Sequence, residues 1–296
     1  MVTQEDFAYN AFVSRAERDE IFREHAATTI LEELVIYNNG PVYSLVGNAN
    51  NPNLQEDIMV AKGTERGRAP VAWTVPFDHE PTRGIFKTNE IIDPHLRGLL
   101  EDRPDELTRR IGAVAFMRGP ADMERKTQYD LPDCIIPNVP NAAVQIYSPV
   151  GNPRTEALIS EIIRLGGEPV MTSANLTNSP EITDEADMLE YKKHTGLRLL
   201  HNILNSDDPW RVRSSYPIYE YVPEGLRPVR SGCIDLEIQL RLMDGYAFAP
   251  FDSTTLPKAR YPRHILHMSS LPETAQSAKG EELRKYVLES LGVHAE

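Results

Sequence analysis

An α/β protein built on a mixed open sheet flanked by helices is what this sequence predicts. Short apolar strands alternate with helical segments along most of the 296 residues, the pattern of a sheet covered by helices. Several strand pairs have no helix between them, so the sheet is mixed rather than purely parallel. Apolar residues make up 41% and charged residues 25%, enough to enclose a sizeable core.

Residues 4–35 place Phe7, Phe12, Ile21, Phe22, Ile30, Leu31 and Leu34 at helical spacing among charges. Asn38-Asn39-Gly40-Pro41 breaks that pattern. Val42 to Val46 is a strand, and residues 53–62 form a short helix with Leu54, Ile58 and Met59 on one face. A charged loop leads to a strand over residues 70–75. Residues 96–110 are helical with a break at Pro104, because proline lacks the amide that an inner turn needs. Strands follow at 113–117, 134–136 and 142–147, then an amphipathic helix at 153–165 that turns Leu158, Ile159, Ile162 and Ile163 inward. A strand from Pro169, a helix over 184–194 and strands at 197–204, 216–221 and 226–229 complete the set. Residues 244–275 are irregular, and 281–291 form a last helix.

Composition excludes several classes. No apolar run approaches the roughly 20 residues needed to span a bilayer, and the N-terminal stretch lacks a basic-then-apolar leader pattern. Cys134 and Cys233 are far apart and read as reduced thiols, which points to the cytoplasm. A net charge of −13 disfavours general nucleic-acid binding, since phosphate contacts need Lys and Arg. Lys62, Arg66 and Arg68 are the best local basic patch. His264-x-x-His267 reads as a surface pair rather than a metal site. Neither a phosphate-binding P-loop, a dinucleotide glycine fingerprint nor a hydrolase elbow occurs.

The most informative stretch runs from Pro169 to Pro180. Its apolar start gives way to Thr172, Ser173 and Asn175, two hydroxyls and an amide at the C-terminal end of a strand. In open α/β sheets that end is where ligands bind, and such groups beside free backbone amides suit phosphate or carboxylate oxygens. An ordinary Ser/Asn turn would have the same composition.

This segment resembles the T-S-A-N-L-S-G-x-P signature of the YrdC-like family, the threonylcarbamoyl-AMP synthases and their relatives. Thr172 to Leu176 match without a gap, and Pro180 matches too. Other stretches follow in the family's order. Val42 to Leu45 with Asn48 to Pro52 is similar to T-V-Y-G-L-x-x-x-A-x-N-P, and Ala61-Lys62-Gly63 to A-K-G-R-P. Ile111 to Phe116 is similar to the P-G-P-x-T strand. Asn205 to Asp208 with Ser214-Ser215 resembles D-G-G…S-T-V, and Leu226 to Ile234, with Arg230, resembles L-R-P-G-x-I. The resemblance covers residues 26–236, which it marks as the family domain with a concave ligand-binding face. Residues 1–25 then form an N-terminal helical extension, and 237–296 a C-terminal extension ending in a helix.

The resemblance implies an ATP-dependent nucleotidyltransferase that joins bicarbonate, an amino acid and ATP, releases pyrophosphate and serves tRNA threonylcarbamoyladenosine modification. Lys62 with Arg66 or Arg68 would hold anionic oxygens, although Lys62 also reads as a solvated helix-end lysine. Thr172, Ser173, Asn175, Ser214, Ser215 and Arg230 would bind nucleotide and phosphate; Arg230 reads equally as a surface ion pair. Tyr43 and Tyr147 fall at the substrate pocket, and Tyr43 also suits a half-buried strand aromatic. Mg²⁺ would arrive with ATP, since these motifs contain no carboxylate cage. A non-catalytic protein of the same fold, binding nucleotide or double-stranded RNA, is the alternative. It draws support from the departures: Asn38 to Pro41 replaces a hydroxyl-bearing P-T-D/E-T, and Tyr147 replaces the arginine of R-x-P.

Overall fold

The computed structural model describes residues 15–63, 71–200, 214–254, 256 and 265–291. Their sheet has nine strands: β1 Val35–Asn38, β2 Tyr43–Asn48, β3 Ala72–Thr74, β4 Phe116–Pro120, β5 Ala143–Tyr147, β6 Pro169–Ser173, β7 Arg198–Leu200, β8 Ile218–Val222 and β9 Gly225–Arg230. The spatial order is β7-β1-β2-β6-β3-β5-β4-β8-β9. The β1–β7, β3–β5 and β4–β8 pairs are parallel and the other pairs antiparallel, as a mixed sheet requires.

Alternation along the strands sorts the core into two faces. Ile36, Leu45, Trp73, Met117, Ile146, Val170 and Tyr219 point to one side. There they meet α2 (Leu54–Lys62), α3 (Pro94–Glu101), α4 (Pro104–Ile111) and α7 (Glu185–Thr195), which bury Leu54, Leu99, Leu107 and Met188 among others. On the opposite face Val35, Tyr37, Val46 and Met171 pack on α1 (Arg15–Glu32) and α6 (Pro153–Arg164). Ala72, Phe116 and Tyr147 on that same face meet α8 (Leu236–Leu242) and α9 (Gly280–Leu291). The described part of the C-terminal segment is therefore one wall of the core under β3, β4 and β5.

Several helix starts are written locally. Asp93, Asn152, Asp184 and Asp235 each accept backbone N–H bonds at the ends of α3, α6, α7 and α8. Proline stands in the first turn of α3, α4 and α6, where no amide is missed.

Three expectations need correction, and two helices had no signal. Of the helical spacing expected over 4–35, residues 4–14 lie outside the described residues; the helix over Arg15–Glu32 ends there, and β-branched Val35 and Ile36 enter a strand held between β2 and β7. The strand expected at 134–136 is a turn: the amides of Ile135 and Ile136 both bond to Pro132 O, and Cys134 O accepts from Val71 N, just before β3. Its apolar residues are there because they are buried. The strand expected from residue 113 starts at Phe116, because Ala113 has φ 59° and the amides of Val114 and Ala115 turn back to Ile111 O. Two short helices, α5 (Met123–Gln128) and α8, have too few turns to show a period.

Cys134 and Cys233 are both buried and unbridged, and burial pushes their thiols up to about 11 and about 12. His267 is an exposed neighbour of Asp235, 3.3 Å away, while His264 lies outside the described residues. No helix among the described residues is long and apolar enough to cross a membrane.

The central tryptophan sets up a pH test. Trp73 is fully buried, and its indole Nε1 donates to Glu168 Oε2 at 2.9 Å. Burial raises the Glu168 carboxyl above its ordinary value, and the indole bond offsets part of that rise. A carboxyl raised in the folded state favours folding fully below its unfolded pKa, and this contribution is lost as pH rises through the folded value. Glu168→Gln keeps an acceptor for the indole and cannot ionise. It is expected to be more stable than the parent at neutral pH, with the difference gone below about pH 4. Urea unfolding at both pH values measures this; a variant that is weaker at pH 7 contradicts it.

Candidate functional site

Helix α2 stops at Gly63, whose φ of 84° a side chain would resist. That places Lys62 on its last turn, beside the C-terminal end of β6. The lysine is buried rather than solvated, at 4% exposure. Its ammonium donates to Ser173 O at 2.6 Å and Asn175 Oδ1 at 2.9 Å, with Ser173 Oγ at 3.4 Å. Ser173 Oγ donates to Asn175 Oδ1 at 2.6 Å. The amide of Asn175 donates to the carbonyls of Leu176 and Ser179, at 3.0 and 2.7 Å. Finally, Thr177 N bonds to Lys62 O at 2.7 Å. A buried ammonium needs such an oxygen set to offset its desolvation. The motif loop supplies it, and the Ser/Asn turn is thereby more than a turn.

Tyr43 anchors the same loop through its backbone, donating to Ile182 O at 3.0 Å and accepting from Ala174 N at 2.9 Å. Its side chain is half-buried against the core. Thr172 is also half-buried, opposite Leu45 in the β2–β6 register.

Ser215 and Arg230 form a second group. Ser215 Oγ donates to Glu181 Oε1 at 2.6 Å, and Arg230 Nε donates to Tyr216 O at 2.9 Å. Burial lowers the pKa of the Arg230 guanidinium, and the Glu181 charge opposes that shift. Ser214 is buried beside them in sequence. The loop over residues 174–182 joins the two groups, ending at one on Asn175 and at the other on Glu181. Glu181 was not anticipated, since a single loop carboxylate has no periodic or motif signal. Arg66, Arg68 and Asn205 to Asp208 lie outside the described residues.

Tyr147, expected at a substrate pocket, is fully buried. Its ring lies 5.1 Å from Phe116 and 5.0 Å from Tyr216, and its hydroxyl reaches Ala113 O at 3.5 Å. Tyr216 donates to Asn39 O at 2.7 Å. Asn39 is itself fully buried, accepting from Thr155 Oγ1 at 3.1 Å and facing Met171 Sδ at 3.1 Å. Asn39 and Tyr147 are thus joined through Tyr216 in one buried polar-aromatic group. A hollow of about 320 Å³ opens elsewhere, beside the motif loop, between Asn175, Glu181, Tyr191 and His194. Asp187 and Glu190 also line it, which makes its outer part negative.

No family model and no curated protein matches the sequence. Solved structures do. Two structures of Sua5 from P. abyssi superpose with a TM-score of 0.56 each, at 18% and 17% identity. They cover 78% and 82% of this chain, and 62% and 65% of the Sua5 chains. The second is a complex with L-threonine. YciO from E. coli superposes with a TM-score of 0.50 at 14% identity, covering 72% of this chain and 90% of its own. The chain has the YrdC-like fold. It spans less than two thirds of the length of the Sua5 chains it matches. In this YrdC-like sheet, Lys62, Ser173 and Asn175 gather at the C-terminal end of β6, joined across more than a hundred residues by the fold.

Proposed function

We propose that this protein binds ATP through its YrdC-like sheet, with the phosphates at Lys62, Ser173 and Asn175, and that it acts as a nucleotidyltransferase of the threonylcarbamoyl-AMP synthase type. The observation that carries the reading is the buried ammonium of Lys62 set against the Ser173 hydroxyl in the T-S-A-N loop. Lys62 would exchange its long 3.4 Å contact to Ser173 Oγ for a phosphate oxygen. To donate to the same phosphate, the Ser173 hydroxyl would turn its proton away from Asn175 Oδ1, which keeps its bond from the ammonium. Arg66 or Arg68 would add a second cation. Among the described residues no three His, Cys, Asp or Glu side chains gather as a metal site, so Mg²⁺ would be carried by the phosphates of ATP. Bicarbonate and an amino acid would be the other substrates, and the product would serve tRNA threonylcarbamoyladenosine formation in the cytoplasm.

The packed group of Asn39, Tyr147 and Tyr216 favours a second reading. It fills the amino-acid side that the resemblance implies, which suits a protein that binds nucleotide without turnover. Double-stranded RNA is disfavoured as its ligand by the net charge of −13.

One experiment separates the readings. The full chain is incubated with Mg-ATP, bicarbonate and L-threonine, following pyrophosphate release, alongside an ATP-dependent thermal shift. Binding with pyrophosphate release supports the synthase, and binding without release supports the binding protein. Neither a shift nor release defeats both. RNA binding that persists as salt is raised from low to physiological levels would replace nucleotide as the ligand.

A further inference from the structure

Helix α7 turns Asp187, Glu190, Tyr191 and His194 to one side, at i, i+3, i+4 and i+7, and that side faces the loop that leaves the T-S-A-N motif. The hollow of about 320 Å³ lies between them. Its inner wall is Asn175, Ile182 and Tyr191, all buried, and its mouth carries Asp187 and Glu190, both exposed. Leu176 also lines it at 38% exposure, an apolar side chain that the motif loop leaves open to water. An apolar wall with a few charged groups at its edge is the composition of a small-molecule site.

The charge at the mouth is negative. Asp184 stands one turn before Asp187, and its charge raises the Asp187 carboxyl. Glu190 pairs with Lys193 at 2.5 Å, but both side chains are more than two-thirds exposed, and such a pair is weak enough to give way to a ligand. Glu181 accepts from Ser215 Oγ and is partly balanced by the Arg230 charge, so Asp187 and Glu190 are the carboxylates that a ligand would meet. The inner wall is tied to the turn that carries Lys62. Tyr191 donates its hydroxyl to Ala61 O at 2.8 Å, and Asn175 Oδ1 accepts from the Lys62 ammonium at 2.9 Å. The hollow and the phosphate site read above therefore share a wall.

We propose that the hollow binds a primary amine carried on an apolar chain without a carboxylate, such as a diamine, and that this amine takes the place of an amino acid as co-substrate. One ammonium would be met by Asp187 and Glu190, and the chain would lie against Leu176 and Ile182. The same carboxylates repel the carboxylate of a free amino acid, which disfavours threonine. The amine site rests on the hollow alone, and the co-substrate role rests on the nucleotide reading. In that role the second nitrogen gives a proton to solvent and adds to bicarbonate with loss of water. An oxygen of the resulting carbamate then displaces pyrophosphate from the α-phosphorus of ATP.

Cadaverine, L-lysine and L-threonine are titrated calorimetrically into the full chain at low salt, without ATP. Lysine is cadaverine with a carboxylate on one end carbon, so the pair isolates the repulsion. Cadaverine is expected to bind about tenfold more tightly than either amino acid, the size of one charged contact. Asp187→Asn combined with Glu190→Gln is expected to lower cadaverine affinity about tenfold. Both positions are exposed, so the core is untouched. Leu176→Lys, which sets the chain's own ammonium at the mouth, is expected to block cadaverine. Pyrophosphate release from Mg-ATP and bicarbonate is then followed with each amine. Cadaverine binding, with faster release than threonine gives, supports both parts of the proposal. Cadaverine binding with no release by any amine supports the amine site and counts against the nucleotide reading. Absence of cadaverine binding, equal affinity for lysine or unchanged affinity in the double variant overturns the proposal, as does release driven by threonine and not by cadaverine.

Discussion

Replacing Lys62 with methionine is expected to abolish ATP-dependent stabilisation and to lower the unfolding free energy by about 2 kcal/mol. Methionine fills the same volume along the stem, so packing at the end of α2 is kept. What disappears is the ammonium. Ser173 O and Asn175 Oδ1 lose its hydrogen bonds, although Asn175 Oδ1 still accepts from Ser173 Oγ. The remaining loop bonds, Asn175 to Ser179 O and Thr177 N to Lys62 O, do not involve the ammonium and should persist. The variant should therefore fold, with a weakened motif loop. Native-state binding raises the melting temperature by mass action, so an empty binding mode shows as a flat response to ATP. Lys62→Arg is no substitute, because a planar fork cannot meet three oxygens arranged around a point charge. A Lys62→Met protein that still melts higher with ATP would remove this lysine from the phosphate site.

The second large effect concerns the C-terminal helix. Arg284→Met is expected to destabilise the protein by about 3 kcal/mol, read from the urea midpoint. Arg284 is buried, and its guanidinium donates to Gly112 O at 2.8 Å and Val150 O at 2.6 Å. Those carbonyls belong to the connections before β4 and after β5, so one side chain pins α9 to two strand ends. Gly151 makes room: its φ is 99°, and an added Cβ would lie 2.2 Å from the guanidinium. Loss of the donors strands two carbonyls in the core. Arg109→Ala is the contrast. It removes exposed pairs to Asp105 and Glu281, at 3.0 and 3.6 Å, and should shift the midpoint by well under ~1 kcal/mol. Equal midpoints for the Arg284 variant and the parent would mean that α9 is not held this way.

Much of the architecture was legible because it rests on local rules. The helix at Pro153–Arg164 announces itself through its apolar spacing and its Pro at the first turn. The break at Pro104 divides α3 from α4 as proline chemistry requires. Elements shorter than two helical turns were not legible, since a period needs repeats to show. The turn at Cys134 to Ile136 misled because buried loops and strands share apolar composition, and only hydrogen-bond partners tell them apart.

The candidate site divides in the same way. The T-S-A-N stretch and Lys62 stand out through the family resemblance, since by residue type alone the stretch reads as an ordinary Ser/Asn turn and Lys62 as a solvated helix-end lysine. Their meeting could not be read, because a hydrogen bond between positions 62 and 175 depends on where α2 docks on the sheet. Tyr147 shows the reverse case. The resemblance sets it at a pocket wall, in the place of an arginine, but α8 and α9 close over its ring with Phe116 and Tyr216.

Chain order alone thus determined the α/β class, the strand-and-helix sequence and the short polar motif, all of which follow from neighbours within a few residues. Only three-dimensional packing decided that Lys62 is buried against oxygens, that Glu181 accepts from Ser215, and that the C-terminal helix covers part of one face of the sheet. Each of these is a contact between distant segments, and its energy exists only after the sheet has set their positions.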